Sequence, residues 1–260
     1  MFDFHMHSTV SFDGKSSAED MVAAAAQMGL KEICFTDHLD YDPFQPKDTY
    51  TFKTEEYNRV YENLYHPDVK IRLGFEFGML PQNADTLKED LARRNFDFVI
   101  GSAHFAENLD IYFPPYWEGK TVDEAEQRYF AELLTCVQNH NDFDVLGHLT
   151  YPGKVASNPT HRPVSYVQHQ EVMDEIFKVL ISKGKGIEVN TSGKDVCGAY
   201  LPDETFLRRF KELGGEIVTV GSDSHNTARV GQYCAEVCQM VKDIFGHVCT
   251  FENRRPIFHK

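Results

Sequence analysis

The segment FDFHMH, residues 2–7, places two histidines one residue apart in a run of mostly apolar side chains. Successive side chains of a β-strand point to opposite faces, so His5 and His7 lie on one face. Phe2, Phe4 and Met6 occupy the alternate positions and predict a buried strand. Two imidazoles on the same side of a core strand are the first indication of a metal site.

Similar short apolar runs recur along the whole chain and alternate with longer segments of helical periodicity. The predicted strands are residues 2–7, 32–38, 71–78, 96–104, 143–149, 186–192 and 216–225, and a further extended stretch covers 247–253. The predicted helices are residues 16–29, 54–65, 84–94, 122–139, 167–183, 203–213 and 228–245. Strand–helix repetition predicts a parallel sheet covered by helices, and this number of repeats favours a closed α/β barrel.

The first helix carries its own boundary signals. Ser16 opens the sequence S-S-A-E, a capping box in which Glu19 would reach back to the amide of the cap residue. Gly29 follows the alanine-rich run and is a typical residue for the end of a helix.

No linker or change of composition divides the 260 residues, so we expect a single domain over residues 1–260. The loop at residues 105–120 is longer and richer in proline than a simple connection needs. We therefore treat it as a candidate lid over the site.

Charge and composition exclude several classes of function. The net charge is −14, and no cluster of lysine and arginine reverses it locally, so we expect neither nucleic acid nor an anionic membrane as partner. No apolar run approaches the roughly 18 residues of a membrane helix, and no secretory leader pattern is visible. Six cysteines lie scattered without the spacing of a disulfide framework. We therefore expect a cytoplasmic protein with reduced thiols.

Half of the 12 histidines fall at or near the carboxyl ends of predicted strands. These are His5, His7, His38, His104, His148 and His225, and Glu76 and Asp223 occupy equivalent positions. The strands of a parallel barrel all end on one face, which carries the active site. A single histidine at a strand end is usually structural, whereas eight such residues on one face indicate a metal cluster.

The chemistry of these side chains limits the metal. Imidazole and carboxylate ligands without thiolate suit zinc, iron or manganese in a catalytic site. Eight or more ligands exceed the coordination of one ion, so they imply at least two ions, and we expect three, with a carboxylate bridging. Closely spaced metals stabilise the attacking and leaving oxygens of phosphoester hydrolysis.

Six short motifs together resemble the polymerase and histidinol phosphatase (PHP) superfamily. They are HMH at 5–7, TDH at 36–38, GFEFG at 74–78, GSAH at 101–104, GHL at 147–149 and GSDSH at 221–225. The resemblance runs from residue 3 to about residue 231 and is strongest to the stand-alone histidinol-phosphate phosphatases, to which HRPVSY at 161–166 and EVNTSG at 188–193 are also similar. It implies a distorted (β/α)7 barrel, similar to a TIM barrel, with three divalent metal ions at its C-terminal face.

The resemblance also implies which residues hold each ion. One ion is assigned to His5, His7, Glu76 and Asp223, a second to Glu76, His104 and His148, and a third to Asp13, His38 and His225. Some relatives carry histidine at the position of Asp13, where Asp13-Gly14 is otherwise an ordinary turn.

Cations are expected beside the phosphate, because negative charge builds on its oxygens in the transition state. Arg162, in the loop after the fifth strand, and Lys194, after the sixth, are the candidates, and Arg229 is a weaker one. The alternative interpretation of each of these residues is a solvated cation on the protein surface. A metal-bound water, Asp223 and His225 are the candidates for protonating the leaving oxygen, and the sequence does not decide among them.

The candidate lid carries residues suited to an imidazole ring and an ammonium group. These are Tyr116, Trp117 and Glu107, although aromatic residues in loops more often serve as anchors. The remaining histidines are not expected to be ligands.

Three functions follow as hypotheses. The first, implied by the resemblance, is hydrolysis of L-histidinol phosphate to L-histidinol and phosphate in histidine biosynthesis. The second is a related phosphoesterase acting on another small phosphate ester, a nucleotide or phosphotyrosine, because the metal motif does not specify the substrate pocket. The third is a barrel that keeps metal for stability only, which the loss of ligands would indicate. All nine expected ligand positions carry competent residues. The oligomeric state does not follow from the sequence.

Overall fold

The computed structural model describes all 260 residues. The strands are β1 (Phe2–Met6), β2 (Glu32–Phe35), β3 (His38–Asp40), β4 (Tyr50–Thr51), β5 (Lys70–Gly78), β6 (Phe98–Ser102), β7 (Phe105–Ala106), β8 (Leu109–Asp110), β9 (Val145–Leu146), β10 (Gly186–Asn190), β11 (Val218–Gly221), β12 (Val248–Glu252) and β13 (Arg255–His259). The helices are α1 (Ala18–Gln27), α2 (Thr54–Tyr61), α3 (Ala84–Leu91), α4 (Pro114–Trp117), α5 (Val122–Asn139), α6 (Gln170–Ser182), α7 (Lys194–Cys197), α8 (Glu204–Glu212) and α9 (Cys234–Phe245). Every predicted strand and helix has a counterpart among them.

Seven strands form a nearly closed parallel barrel in the order β1-β2-β5-β6-β9-β10-β11. The first and last strands meet just beyond β11. There the amide of Asp223 donates to the carbonyl of His5, and the amide of His7 donates to the carbonyl of Ser224, both at 2.8 Å. This architecture confirms the predicted seven-stranded α/β barrel.

Two of the barrel strands are irregular where they approach the cluster of histidines. The predicted strand at 32–38 is divided into β2 and β3, and His38 of β3 pairs with Glu76 of β5. The register of β1 also shifts near its middle. Phe4 packs against Phe98, with ring centroids 5.6 Å apart, whereas the next residue, His5, reaches Glu76. Irregularities of this kind redirect side chains at the rims of barrels.

The hydroxyl that caps α1 belongs to Ser17, not to Ser16 as predicted. The backbone of Ser17 is extended, and its side chain accepts the amide of Asp20 at 3.1 Å. The helix therefore begins one residue later than the S-S-A-E pattern suggests. The end at Gly29 is as predicted, since this residue has a φ of 72°, which glycine adopts without strain.

The amino-terminal end of the barrel is closed by the β12–β13 hairpin. Phe251 of β12 packs against Phe98 at the start of β6, with ring centroids 4.9 Å apart. The amides of Asn253 and Arg254 donate to Asp97, which fixes the hairpin to the barrel. Ion pairs also lie at this end, between Arg72 and Glu32 and between Arg254 and Asp144. None of the helices combines the length and apolarity needed to cross a membrane.

Candidate active site

The structure brings all nine predicted ligand residues together at the carboxyl-terminal mouth of the barrel. They are His5, His7, Asp13, His38, Glu76, His104, His148, Asp223 and His225, of which seven are buried. Strands or the turns just after them carry eight of the nine, and Asp13 lies in the loop after β1. The shared direction of the parallel strands therefore produces the cluster, as the sequence predicts.

The first group consists of His5, His7, Glu76 and Asp223. The Nε2 atoms of His5 and His7 lie 3.2 and 3.6 Å from Oε2 of Glu76. They also lie 3.5 and 3.4 Å from Oδ1 of Asp223. Two imidazole nitrogens and two carboxylate oxygens thus face one point.

The second group consists of Glu76, His104 and His148. The other oxygen of Glu76, Oε1, lies 2.8 Å from Nε2 of His148 and 3.4 Å from Nε2 of His104. The two imidazole nitrogens are 3.3 Å apart. Glu76 therefore presents one oxygen to each of the first two groups, which is the arrangement of a bridging ligand.

The third group consists of Asp13, His38 and His225. Oδ2 of Asp13 lies 3.0 Å from Nε2 of His225 and 3.6 Å from Nε2 of His38. The ring of His7 stacks on both histidines, with centroids 4.3 Å from His38 and 4.1 Å from His225. The third group is therefore contiguous with the first.

These distances fit divalent metal ions. Two donors bound to one tetrahedral zinc at about 2.05 Å lie about 3.3 Å apart, which is close to the separations within each group. Several buried atoms that could bind a metal have no hydrogen-bond partner. They include Nε2 of His5, Nε2 of His7 and Oε2 of Glu76. A buried polar atom without a partner costs about 1–3 kcal/mol. A shared cation would satisfy all three atoms.

Mutual charge sets the ionisation of the cluster in the metal-free protein. Burial lowers the pKa of His38, but the carboxylates of Asp40 and Glu76 outweigh this effect and raise the pKa to about 9. Burial and the neighbouring histidines lower the pKa of His7 to about 3. Burial raises the pKa of Glu76, yet the surrounding imidazoles hold it well below its ordinary value. A metal ion must therefore displace a proton from His38 but none from His7.

Comparison with known proteins identifies the family. The profile of the PHP domain matches residues 3–192, nearly three quarters of the chain. This chain belongs to the PHP domain family. A histidinol-phosphatase of Lactococcus lactis subsp. lactis is 30% identical over 231 residues, which cover 87% of this chain and 85% of that protein. A probable histidinol-phosphatase of Clostridium acetobutylicum is 29% identical and covers 99% of this chain and 96% of its own length.

A solved PHP structure extends the similarity to three dimensions. It is a crystal structure of histidinol phosphate phosphatase from Lactococcus lactis subsp. lactis, complexed with zinc, L-histidinol and phosphate. It matches with a TM-score of 0.86 and 27% identity, and the match covers 98% of both chains. The similarity therefore spans the whole barrel.

Asp40 is a buried residue of this PHP site that the sequence analysis did not single out. Its Oδ2 lies 3.3 Å from Nδ1 of His38 and 3.0 Å from Nδ1 of His104. A Cβ atom on Gly78 would lie 2.2 Å from Oδ1 of Asp40, so the glycine leaves room for the carboxylate. Asp40 thus contacts His38 of the third group and His104 of the second. In both histidines it contacts Nδ1, whereas Nε2 faces the proposed metal.

Glu188 is the second residue that was missed. Its Oε1 lies 2.6 Å from Nδ1 of His5, and its Oε2 accepts the amide of His148 at 2.8 Å. A Cβ atom on Gly221 would lie 2.3 Å from Oε1, so this glycine also makes space for a carboxylate. Glu188 fixes the orientation of His5 from inside the barrel.

Lys154 is the third missed residue and the cation nearest to the cluster. Its Nζ lies 2.5 Å from Oδ2 of Asp223 and 2.7 Å from Oγ of Ser192. Its side chain lines the cavity at the barrel mouth together with Asp223 and His225. Its position depends on the path of the loop after β9, which the residue pattern does not reveal.

The predicted phosphate ligands Arg162 and Lys194 do not line this cavity, which corrects the expectation that they face the cluster. The guanidinium of Arg162 instead pairs with Asp123 and Glu126 of α5. The ammonium of Lys194 lies 4.9 Å from the centre of the Tyr200 ring. Arg229 pairs with Asp195 and is likewise absent from the cavity wall. Arg162 and Arg229 thus pair with acidic residues of helices, and Lys194 lies over an aromatic ring. None of these contacts is with the cluster.

The loop at 105–120 contains β7, β8 and α4, and its buried aromatic residues act as anchors. The hydroxyl of Tyr116 donates to the carbonyl of Ala125, and Nε1 of Trp117 donates to the carbonyl of Ile111. Glu107 pairs with Lys120 and Arg128. None of the three predicted substrate contacts, Tyr116, Trp117 and Glu107, lines the cavity. The same loop does supply Phe105, Asp110, Tyr112 and Phe113 to the cavity wall.

Proposed function

We propose that this chain is a metal-dependent phosphomonoesterase that hydrolyses L-histidinol phosphate to L-histidinol and phosphate, the phosphatase step of histidine biosynthesis. The observation that carries the proposal is the similarity over 98% of the chain to a histidinol phosphate phosphatase solved with zinc, L-histidinol and phosphate. The nine-residue cluster at the barrel mouth supports it, because the cluster supplies every ligand that the proposal needs.

Three divalent ions, drawn from zinc, iron and manganese, are proposed for the three groups of ligands. The donor set of imidazole and carboxylate suits these metals, and Glu76 lies between the first and second groups. Bound ions of this kind supply Lewis-acid stabilisation of phosphoryl oxygens and allow water to act as a nucleophile at neutral pH.

Side chains around the ligand groups are proposed to bind a phosphoryl oxygen and to protonate the leaving oxygen. Lys154 replaces Arg162 and Lys194 as the proposed cation for a phosphoryl oxygen, because it lines the cavity beside Asp223. Its charge stands where negative charge grows during phosphoryl transfer. His225 lies at the same wall of the cavity and remains a proposed group for protonating the leaving oxygen. Burial raises the pKa of Asp223, but Lys154 and His5 hold it well below its ordinary value, so at neutral pH this carboxylate has no proton to donate.

The proposal includes a single domain and a cytoplasmic location. The barrel draws its strands from residues 2–221, and the β12–β13 hairpin packs back against it, which supports a single domain over residues 1–260. All six cysteines are buried and unpaired, which supports a reducing, cytoplasmic location.

Phosphate release by the metal-loaded protein tests the function. L-histidinol phosphate is compared with p-nitrophenyl phosphate and a nucleoside monophosphate, each with zinc and with manganese. We expect kcat/KM for L-histidinol phosphate to be at least about 100-fold higher, which corresponds to about 2.7 kcal/mol of transition-state binding. Equal low rates on all three esters would refute the substrate while leaving the metal chemistry intact.

A further inference from the structure

The cavity above the candidate metal ligands has two chemically different kinds of lining residue. It has a volume of about 460 Å³, and its polar lining consists of the ligand groups, Asp110, Lys15 and Lys154. Its apolar lining includes the aromatic residues Phe12, Tyr50, Tyr112 and Phe113. The side chains of Phe12, Tyr112 and Phe113 are each about half exposed. These aromatic residues are therefore suited to the organic part of a substrate rather than to its phosphate.

One carboxylate of the cavity is not engaged by any cation. Five carboxylates line the cavity, namely Asp13, Asp40, Glu76, Asp110 and Asp223. Four of them pair with histidines of the cluster. Asp110 makes no such pair, and its Oδ1 accepts only the amide of Tyr112, at 2.8 Å. Its second oxygen is thus available to a ligand.

The backbone places Asp110 directly beside the metal ligands. The short hairpin of β7 and β8 follows at once after His104, and Asp110 pairs across it with Phe105. The amide of Ile111 donates to the carbonyl of His104 at 3.0 Å, which ties the end of the hairpin to this ligand. Burial raises the pKa of Asp110, although the Tyr112 amide opposes the effect. A carboxylate in this setting gains from a cationic partner.

We infer that Asp110 determines substrate specificity by receiving the protonated amino group of the substrate, while Phe12, Tyr112 and Phe113 flank its imidazole ring. The ligand class is a phosphate ester of an amino alcohol, with a positive charge a few bonds from the ester oxygen. An ammonium or imidazolium group also binds favourably over aromatic faces. This inference rests on the proposed function and adds the residues that would select the substrate.

The substitution Asp110→Asn removes the charge and keeps an oxygen that can accept the Tyr112 amide. The matched control is Asp42→Asn, because Oδ1 of Asp42 accepts the amide of Phe44 at 2.7 Å in the same geometry and does not line the cavity. Each protein is assayed with L-histidinol phosphate, with the same imidazole ester lacking the amino group, and with p-nitrophenyl phosphate. Inhibition by L-histidinol and thermal unfolding are measured in parallel.

We expect Asp110→Asn to lower kcat/KM for L-histidinol phosphate by at least about tenfold, the loss of a charged hydrogen bond. The two esters without the amino group should change by less than about threefold, and L-histidinol should inhibit the variant more weakly. Asp42→Asn should behave as the wild type. Equal losses on all three esters, or no loss on any, would overturn the role of Asp110 alone. A wild type that does not prefer L-histidinol phosphate would overturn the proposed function, and the inference with it.

Discussion

Nδ1 of His5 and Oε1 of Glu188 lie 2.6 Å apart, although 183 residues separate them in the chain. Both side chains are buried. A hydrogen bond on Nδ1 fixes the tautomer of an imidazole and leaves Nε2 free to bind a metal. In His5, Nε2 is the atom that faces Glu76 and Asp223. Glu188 therefore acts on the first group of ligands through His5.

Replacing Glu188 by glutamine should weaken metal binding while the barrel remains folded. Loss of a carboxylate behind a ligating histidine typically reduces metal affinity by about 10–100-fold. Competition with a chelator, followed by elemental analysis of the protein, measures this effect. The exposed Glu216 offers a control, because Glu216→Gln changes the same charge outside the cluster. Unchanged metal retention in Glu188→Gln would contradict the role assigned to this residue.

Adding a side chain at Gly78 should weaken metal binding as much as replacing Asp40 does. A Cβ atom at residue 78 would lie 2.2 Å from Oδ1 of Asp40, so Gly78→Ala must displace the carboxylate that contacts His38 and His104. We expect Gly78→Ala and Asp40→Asn to lose metal to a chelator to a similar extent. Overpacking at residue 78 should also lower the free energy of unfolding by about 1–3 kcal/mol, measured by urea denaturation. Gly78→Ala protein that retains its metal as the wild type does would show that Asp40 is not needed to orient the two histidines.

The simple alternation of strand side chains could have revealed part of what the sequence analysis missed. Asp40 follows His38 by two residues, the spacing that identified His5 and His7, so the same rule places it on the ligand face. Glu188 lies in a strand whose other face is apolar, and it could have been found in the same way. The fold and eight of the nine candidate ligand positions were predictable because they depend only on strand direction and on where each strand ends. The ninth, Asp13, lies in a loop and followed only from the resemblance to the PHP superfamily.

Loop residues could not be predicted by such a rule. Lys154 and Arg162 both belong to the connection between β9 and α6, yet Lys154 reaches Asp223 and Arg162 pairs with Asp123 and Glu126 of α5. The direction of each side chain depends on irregular backbone, and the sequence offers no periodicity there. Arg162 was therefore singled out, and Lys154 was missed, on a pattern that does not distinguish the two residues.

Lys154 should contribute to catalysis on every phosphate ester, whereas Lys194 should not. Lys154→Met removes the positive charge beside Asp223, and removal of one such group typically costs about 100-fold or more in kcat. Lys194→Met is the control, because Lys194 contacts only the ring of Tyr200. The measurement is kcat and KM for L-histidinol phosphate and for p-nitrophenyl phosphate. A larger effect from Lys194→Met than from Lys154→Met would restore the assignment made from the sequence.

Metal affinity of the third group should rise with pH. The pKa of His38 in the metal-free protein is about 9, so at pH 7 the ring is protonated and must lose a proton to bind a metal. The apparent affinity should therefore increase about tenfold per pH unit up to about pH 9 and then level off. Calorimetric titration in two buffers of different ionisation enthalpy counts the protons released. Binding without proton release at pH 7 would contradict this picture.

The same pKa predicts an opposite trend for the stability of the metal-free protein. A histidine whose pKa is raised on folding stabilises the fold fully below its unfolded value of about 6.5. For His38 that contribution should be lost as the pH rises through about 9. Thermal unfolding of chelator-treated protein between pH 6 and pH 10 should show the loss, and Asp40→Asn should reduce it by removing a carboxylate that favours the charged ring.

Asp13 is the ligand whose replacement should change the number of bound ions. It is the most exposed member of the cluster, and its Oδ2 is the only carboxylate oxygen between His38 and His225. Asp13→Ala leaves the third group with imidazoles alone, so we expect the metal content per chain to fall by one ion. Asp13→His restores a donor at this position and should restore the third ion, with a preference shifted toward metals that favour nitrogen ligands. Elemental analysis after dialysis against zinc or manganese measures both effects. Full metal content in Asp13→Ala would mean that Asp13 is a turn residue rather than a ligand, and that the third group does not depend on it.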